Sequence, residues 1–152
     1  MPLAKKTSDI PGCFESLRQR DRIQAQALAH TPGLKLISRP KEESYVGSSI
    51  QFLLLDWTPD RVENLLARCA SRGVELKWFG GKEPTGFTSR YDSWRYAPSS
   101  AMPKSDRVLA GVIDMRLPLT FSLEDCAVIG RIIRAEVGAL YQLADSAAQT
   151  AI

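Results

Sequence analysis

The sequence predicts an α+β domain in which helices cover one side of a small, mostly antiparallel sheet. The predicted elements follow the order helix, strand, strand, helix, strand, long loop, strand, helix. Each long helix has a single apolar face, which must be buried against another layer. The 152 residues are 44% hydrophobic and 24% charged, which is an ordinary globular composition, and their number suits one domain.

We expect a single domain over residues 14–145, between a mobile polar lead-in at 1–13 and a frayed tail at 146–152. The lead-in has no apolar core of the kind that a secretory signal needs. No apolar run is longer than Phe52–Leu55, which is far shorter than the roughly 20 residues that cross a bilayer. We therefore expect a cytoplasmic protein that has no membrane partner.

The first part of the domain is predicted to form a helix followed by two strands. The helix covers about 14–29 and stops at Pro32 and Gly33. Alternation of apolar and polar residues at 34–36 predicts a short strand. Residues 48–56 become apolar on both faces, which is typical of a buried strand.

The clearest helix begins after Thr58, which can cap the free amides, while Pro59 fits the first turn. Gly73 is expected to end this helix in a left-handed conformation, and residues 74–79 are expected to form a strand. The helix repeats apolar residues at i, i+3, i+4 and i+7, which places them on one face: Val62, Leu65, Leu66 and Cys69.

The last part of the chain is predicted as a short helix at about 105–111, a brief strand at 114–117 and a long helix. Ser122 is the expected cap of the long helix, because Asp125 follows it at the spacing of a capping box. One apolar stripe continues from there: Cys126, Ile129, Ile133, Val137 and Leu140.

The composition excludes several kinds of site. His30 is the single histidine, so no site can use two histidine ligands. The three cysteines are far apart and form no CxxC pair, which excludes a cysteine zinc site and favours reduced thiols. The net charge is only +3, and the basic cluster Arg18, Arg20 and Arg22 is interpreted as a charged helix face. We therefore expect no nucleic-acid partner.

Residues 77–104 are the segment with the strongest functional signal, because they hold six of the twelve aromatic residues in a long loop. Two interpretations stay open. The aromatic side chains could anchor the loop to a surface. Alternatively, Arg90 and Arg95 could offer forked donors to a carboxylate or phosphate, with Tyr91 and Trp94 as aromatic walls beside them.

Two long runs, VELKWFGGKEPTGFTSRYDSWRY and DRVLAGVIDMRLPLTFSLEDC, resemble the C-terminal part of pyridoxal-phosphate-dependent aminotransferases of the DegT/DnrJ type. The runs PGLKLISRP and VGSSIQF do so as well, and the resemblance covers residues 14–141. It implies the fold type I architecture, in which a large domain carries the cofactor lysine and a small C-terminal domain helps to close the active site.

The resemblance also implies what this chain does not contain. None of its seven lysines matches the family's catalytic lysine, so no catalytic or cofactor-binding residue is assigned. Pyridoxal phosphate is the implied cofactor, but we do not expect this chain to bind it alone. The implied partners are a complementary large-domain chain and an amino or keto substrate, so the chain by itself is expected to be inactive. Two alternatives remain: a stand-alone module that binds a small anion, and a nonfunctional gene fragment.

Overall fold

The computed structural model describes residues 10–81 and 102–150, which fold into helices and strands in the predicted order. The α+β class is confirmed, with four helices and a four-stranded sheet in this part of the chain. The elements are α1 (Ile10–Leu28), β1 (Lys35–Leu36), β2 (Ser49–Leu53), α2 (Pro59–Ser71), β3 (Lys77–Trp78), α3 (Pro103–Ala110), β4 (Val112–Arg116) and α4 (Leu123–Thr150).

The sheet has the strand order β1-β2-β4-β3, and every neighbouring pair is antiparallel. Ile50 of β2 faces Met115 of β4, and Phe52 faces Ile113. These four side chains are buried on one face of the sheet, because directly opposite residues of an antiparallel pair point the same way. The rest of the core comes from the helices and from the ends of the strands: Leu28, Leu54, Val62, Leu65, Cys69, Val74, Leu76, Leu117, Cys126, Ile133, Val137 and Leu140.

Both terminal helices extend further than expected. Helix α1 begins at Ile10, so residues 10–13, which were assigned to the lead-in, are helical. Pro11 is tolerated there because an amide N–H in the first turn has no intrahelical acceptor in any case. Helix α4 continues to Thr150, so residues 146–150 of the expected tail are also helical. Alanine is frequent in that stretch, and it is the strongest helix former.

Two strands are shorter than expected, and turns explain both differences. Strand β2 ends at Leu53, and Asp56 adopts a left-handed φ of 63° soon afterwards. Strand β3 contains only Lys77–Trp78. The predicted start of that strand belongs to the end of α2 instead, because the Val74 amide donates to the Cys69 carbonyl at 2.9 Å. Together with Gly73, whose φ is +79°, this bond forms a Schellman motif and confirms the left-handed cap.

The two predicted N-caps differ in outcome. Thr58 stands at the N-cap position of α2, but its side chain makes no capping hydrogen bond. At the start of α4, the Asp125 amide donates to Ser122 Oγ at 3.0 Å, and the Ser122 amide donates to Asp125 Oδ2 at 2.8 Å. This reciprocal pair confirms the capping box. It also holds the pKa of the Asp125 carboxyl below its usual range.

Helices α1 and α4 pack closely against each other, and α4 is in turn tied to α2. A Cβ atom added to Gly130 would lie only 2.6 Å from Ala27 Cβ, so glycine permits the close approach of α1. Glu136 of α4 accepts hydrogen bonds from Arg68 Nε at 2.5 Å and from an Arg72 terminal nitrogen at 2.8 Å. In the described ranges, no helix combines the length and apolar character that crossing a membrane requires.

Candidate functional site

The four site residues predicted from the sequence, Arg90, Tyr91, Trp94 and Arg95, lie outside the described residues. Their role therefore stays a prediction. The structure does describe both flanks of the segment that contains them. One flank is β3, which is an edge strand of the sheet, and the other is α3, which leads into β4.

The two flanks are joined at their base by a tryptophan. Trp78 Nε1 donates to the Ala110 carbonyl at 2.7 Å, which links β3 to the last residue of α3. Gly80 stands against the same two groups, because an added Cβ would lie 2.7 Å from Trp78 Nε1 and 2.8 Å from the Ala110 oxygen. Any larger residue at position 80 would have to displace this link.

A cavity of about 380 Å³ lies between α1 and the chain that connects β1 to β2. We call it the α1–β2 pocket. Its size is at the lower end of the range for small-molecule sites, about 300–1,000 Å³. Apolar side chains from α1, β1, β2 and the connection between the two strands line part of it: Ala25, Leu36, Ile37, Pro40 and Ile50. Charged or polar side chains line the remainder: Asp21, Arg39, Lys41, Glu43, Tyr45 and Gln51.

Tyr45 organises the polar part of this pocket. Its hydroxyl donates to Asp21 Oδ2 at 3.0 Å. The guanidinium carbon of Arg39 lies 4.6 Å from the centre of the Tyr45 ring, within cation–π range. Arg39 also forms an ion pair with Glu43 at 2.9 Å. One aromatic side chain thus places a carboxylate and a guanidinium beside the same cavity.

Partial burial shifts the pKa values of Asp21 and Tyr45 in this pocket. Asp21 is half-buried on α1, and desolvation raises the pKa of its carboxyl, although the hydrogen bond from Tyr45 and the charges of Arg39 and Arg22 oppose this shift. Burial also raises the pKa of the Tyr45 phenol, and the nearby Asp21 carboxylate adds to that shift. Tyr45 therefore keeps its proton near neutral pH and acts as a hydrogen-bond donor.

The connection that forms one wall of the pocket is fastened to α1. Arg18 Nε donates to the Tyr45 carbonyl at 2.9 Å, and a terminal nitrogen of Arg18 donates to Ser44 Oγ at 3.3 Å. Gly47 has a φ of +77°, and an added Cβ would lie 3.2 Å from the Arg18 Cα atom. The wall is thus held by contacts that do not involve a ligand, which favours binding because little order must be gained.

The basic cluster on α1 has structural partners. Arg18 binds the connection, and Arg22 forms an ion pair with Glu15 at 2.5 Å. Arg20 donates to the carbonyls of Phe121 at 2.7 Å and Leu119 at 3.1 Å, which holds the turn before α4. The interpretation of this cluster as a charged helix face therefore needs refinement, because two of its arginines hold loops in place.

The described residues do not fit pyridoxal phosphate. The lysine that forms a Schiff base must reach its deprotonated form, which burial in an enclosed site favours. Among the described lysines, Lys35, Lys41 and Lys104 are exposed, and Lys77 is half-buried on an edge strand. The α1–β2 pocket instead combines apolar surface with charged and polar side chains, which suits reversible binding of a small molecule.

The sequence-based reasoning missed the α1–β2 pocket, although some signals were present. The sequence predicts no role for Asp21 or for residues 39–43. Tyr45 is a single aromatic residue within that polar stretch, and Gly47 follows it closely.

No protein-family model matches the sequence, and no curated protein is similar to it. The structure is similar to solved aminotransferases. Against the aminotransferase TlmJ from Streptoalloteichus hindustanus, the TM-score is 0.68 at 16% identity, over 86% of this chain and 33% of that chain. Against the sugar aminotransferase CalS13 from Micromonospora echinospora, it is 0.64 at 14% identity, over 84% and 31%.

A third similar structure is that of 3-amino-5-hydroxybenzoic acid synthase, with a TM-score of 0.65 at 13% identity. The match covers 86% of this chain and 35% of the synthase. The chain therefore spans about a third of the length of the solved structures that it resembles. At these identities the likeness shows the fold, which is that of a partial aminotransferase domain.

Proposed function

We propose that this chain is the small domain of a pyridoxal-phosphate-dependent aminotransferase of the DegT/DnrJ type. One observation carries the proposal: 84–86% of this chain superposes on only 31–35% of three solved structures, namely two aminotransferases and 3-amino-5-hydroxybenzoic acid synthase. We expect a domain that corresponds to a third of an enzyme to act with the remainder of that enzyme. The DegT/DnrJ type is the part of the proposal that rests on the sequence runs resembling that family.

In this proposal, the large domain binds the cofactor and supplies the catalytic lysine. It is either a separate chain or another part of a longer polypeptide. Pyridoxal phosphate on that domain supplies the electrophilic carbon that accepts an amino group. The contribution of this chain is to cover the substrate side of the site and to exclude water from it. A cytoplasmic location, where amino and keto metabolites are exchanged, belongs to the same proposal.

The substrate contacts are assigned to the aromatic segment. Arg90 and Arg95 would pair with a carboxylate or another anion on the substrate, since a guanidinium presents two parallel donors to such groups. Tyr91 and Trp94 would form the walls beside it. The link between Trp78 and Ala110 supports this arrangement, because it fixes the base from which the segment leaves the sheet.

The test uses the protein as its native cell makes it. A purification tag is added to this coding sequence in the genome, and the tagged material is isolated without denaturation. We expect it to carry one pyridoxal phosphate per copy of this domain, measured by absorbance and by mass spectrometry, and to transfer amino groups to keto acceptors. Tagged material that lacks both the cofactor and the activity would refute the proposal.

The assignment of the cofactor and the catalytic lysine to the large domain is tested with the 152-residue chain alone. It should show no transaminase activity with added pyridoxal phosphate, and borohydride should fix no cofactor to any of its lysines. A stoichiometric, borohydride-stable adduct on one lysine would contradict the assignment of that lysine to the large domain. In the native enzyme, Arg90→Ala and Arg95→Ala should raise the KM for the anionic substrate, whereas the exposed control Lys104→Ala should not.

A further inference from the structure

The α1–β2 pocket contains two opposite charges that no ion pair satisfies. Its four charged side chains are Asp21, Arg39, Lys41 and Glu43, so their formal charges cancel. Arg39 and Glu43 neutralise each other directly, at 2.9 Å. Within the described part of the chain, Asp21 and Lys41 form no ion pair, either with each other or with another residue.

These two charges stand on different walls. Asp21 belongs to α1, whereas Lys41 belongs to the connection between β1 and β2. One oxygen of the Asp21 carboxylate accepts the Tyr45 hydroxyl, which is neutral, and the charges of Arg39 and Arg22 act on the carboxylate from a distance without pairing with it. Because the carboxylate is half-buried, it gains more from a cation than an exposed carboxylate would.

The two unpaired charges select against ligands of a single charge. A simple anion would gain from Lys41 but would be repelled by Asp21. A simple cation would gain from Asp21 but would be repelled by Lys41. A molecule that carries an ammonium group and a carboxylate close together satisfies both walls, and each contact is a charge-assisted hydrogen bond.

The uncharged part of the lining indicates what else the ligand contains. Ala25, Leu36 and Ile50 contribute apolar surface from α1, β1 and β2 to the same cavity. Small-molecule sites combine such surface with a few placed polar groups. An aliphatic side chain could bury its surface there while the charged groups stay at the rim.

We propose that the α1–β2 pocket binds a free α-amino acid with an aliphatic side chain, whose ammonium group contacts Asp21 and whose carboxylate contacts Lys41. The site is separate from the aromatic segment and belongs to this chain alone. It does not depend on pyridoxal phosphate, nor on the proposed function. Binding can therefore be measured on the 152-residue chain without a large domain.

The first experiment compares three probes of nearly the same shape. L-leucine carries both charges, isocaproate lacks the ammonium group, and isoamylamine lacks the carboxylate. Each is titrated into the isotopically labelled chain, and amide signals are followed by NMR. We expect L-leucine to shift the signals of Tyr45 and Gln51 in a saturable manner. Each single-charge probe should bind about tenfold more weakly or worse, because it loses one charge-assisted contact.

The second experiment tests which residue of the pocket contacts each charged group of L-leucine. Lys41→Gln should weaken L-leucine binding about tenfold and should abolish the preference for L-leucine over isoamylamine. Asp21→Asn, which keeps an oxygen to accept the Tyr45 hydroxyl, should instead abolish the preference for L-leucine over isocaproate. Lys104→Gln, which removes an exposed lysine from α3, is the matched control and should bind as the unaltered chain does.

Circular dichroism and urea unfolding establish that each variant is folded. The proposal is overturned if L-leucine shifts no signal around the pocket, or if a single-charge probe binds as tightly as L-leucine. It is also overturned if folded Lys41→Gln and Asp21→Asn retain the preferences of the unaltered chain. Loss of the amino-acid site would leave the aminotransferase assignment untouched, since that assignment is tested by the cofactor of the native enzyme.

Discussion

Two glycines of α4 offer a matched test of how closely this helix approaches α1. A methyl group added at Gly130 would lie 2.6 Å from Ala27 Cβ, whereas one added at Gly138 would meet nothing within 4 Å. Carbon atoms in contact are comfortable at about 3.5–4.0 Å. Gly130→Ala therefore creates an overlap of about 1 Å with an atom that cannot rotate away, and Gly138→Ala creates none.

The two substitutions should therefore change the free energy of unfolding in opposite directions. Alanine is more favourable than glycine within a helix by about 0.8–1.0 kcal/mol. We therefore expect Gly138→Ala to increase the free energy of unfolding by about 0.5–1 kcal/mol. Gly130→Ala receives the same gain, but overpacking in a close contact typically costs about 1–3 kcal/mol. Because the obstacle is Cβ of the facing helix, the upper part of that range applies, and a net loss of about 1–2 kcal/mol is expected.

Urea unfolding measures both variants in one assay. With an m-value of about 2 kcal/mol/M, the two midpoints should differ by about 1 M, and that of Gly130→Ala should be the lower. Adding Ala27→Gly to Gly130→Ala removes the colliding methyl group and should restore more stability than the two single changes predict by addition. Equal stabilisation by Gly130→Ala and Gly138→Ala would refute the close approach of the two helices.

Three further predictions concern single groups in the core and on the surface. Ion pairs hold the pKa of Glu136 below its usual range, so they stabilise the fold above the unfolded-state pKa and are lost as the pH falls through the folded-state value. Glu136→Gln should lower the urea midpoint near neutral pH, and its difference from the unaltered chain should vanish as the pH falls through the folded-state pKa, while exposed Glu63→Gln should have little effect over the same range. Gln24 is fully buried, and its amide nitrogen donates to Met115 Sδ at 3.1 Å, but its amide oxygen has no hydrogen-bond partner among the described residues. Gln24→Leu should therefore stabilise the domain by about 1 kcal/mol; a lower urea midpoint would contradict this reasoning. Cys13 is exposed, whereas burial raises the pKa of Cys69 to about 11, so iodoacetamide should modify Cys13 in the native chain and Cys69 only after unfolding, as read by peptide mass spectrometry.

The elements that the sequence predicts correctly are those that short-range chemistry determines. Gly73 ends α2 because a left-handed residue is required there, and Ser122 with Asp125 caps α4 because their spacing lets each satisfy the other's amide. Strand lengths depend on the partner strand and were less predictable. Val74 has the residue type of a strand, but its amide is already used by the end of α2.

The residues around the α1–β2 pocket are far apart in the sequence, which explains why the sequence alone does not predict this site. Asp21 and Tyr45 are 24 residues apart, and Arg18 lies 27 residues from the carbonyl that it binds. Each partner taken alone looks like an ordinary charged surface residue. Only the packing of the connection onto α1 places them around one cavity. Charge counts along the sequence could not reveal that Arg39 and Glu43 neutralise each other, while Asp21 and Lys41 form no ion pair with any residue that the structure describes.

The use of charge within the described domain supports a role in positioning and binding. Arg18 and Arg20 bind backbone carbonyls of two loops, and Glu136 joins α2 to α4. These contacts assign Arg18, Arg20 and Glu136 to holding the fold. In the proposed function the reactive group is the cofactor of the large domain, which is a separate property from amino-acid binding in the α1–β2 pocket. Measurements of cofactor content and of amino-acid binding therefore probe two independent properties of one chain, and either can fail while the other holds.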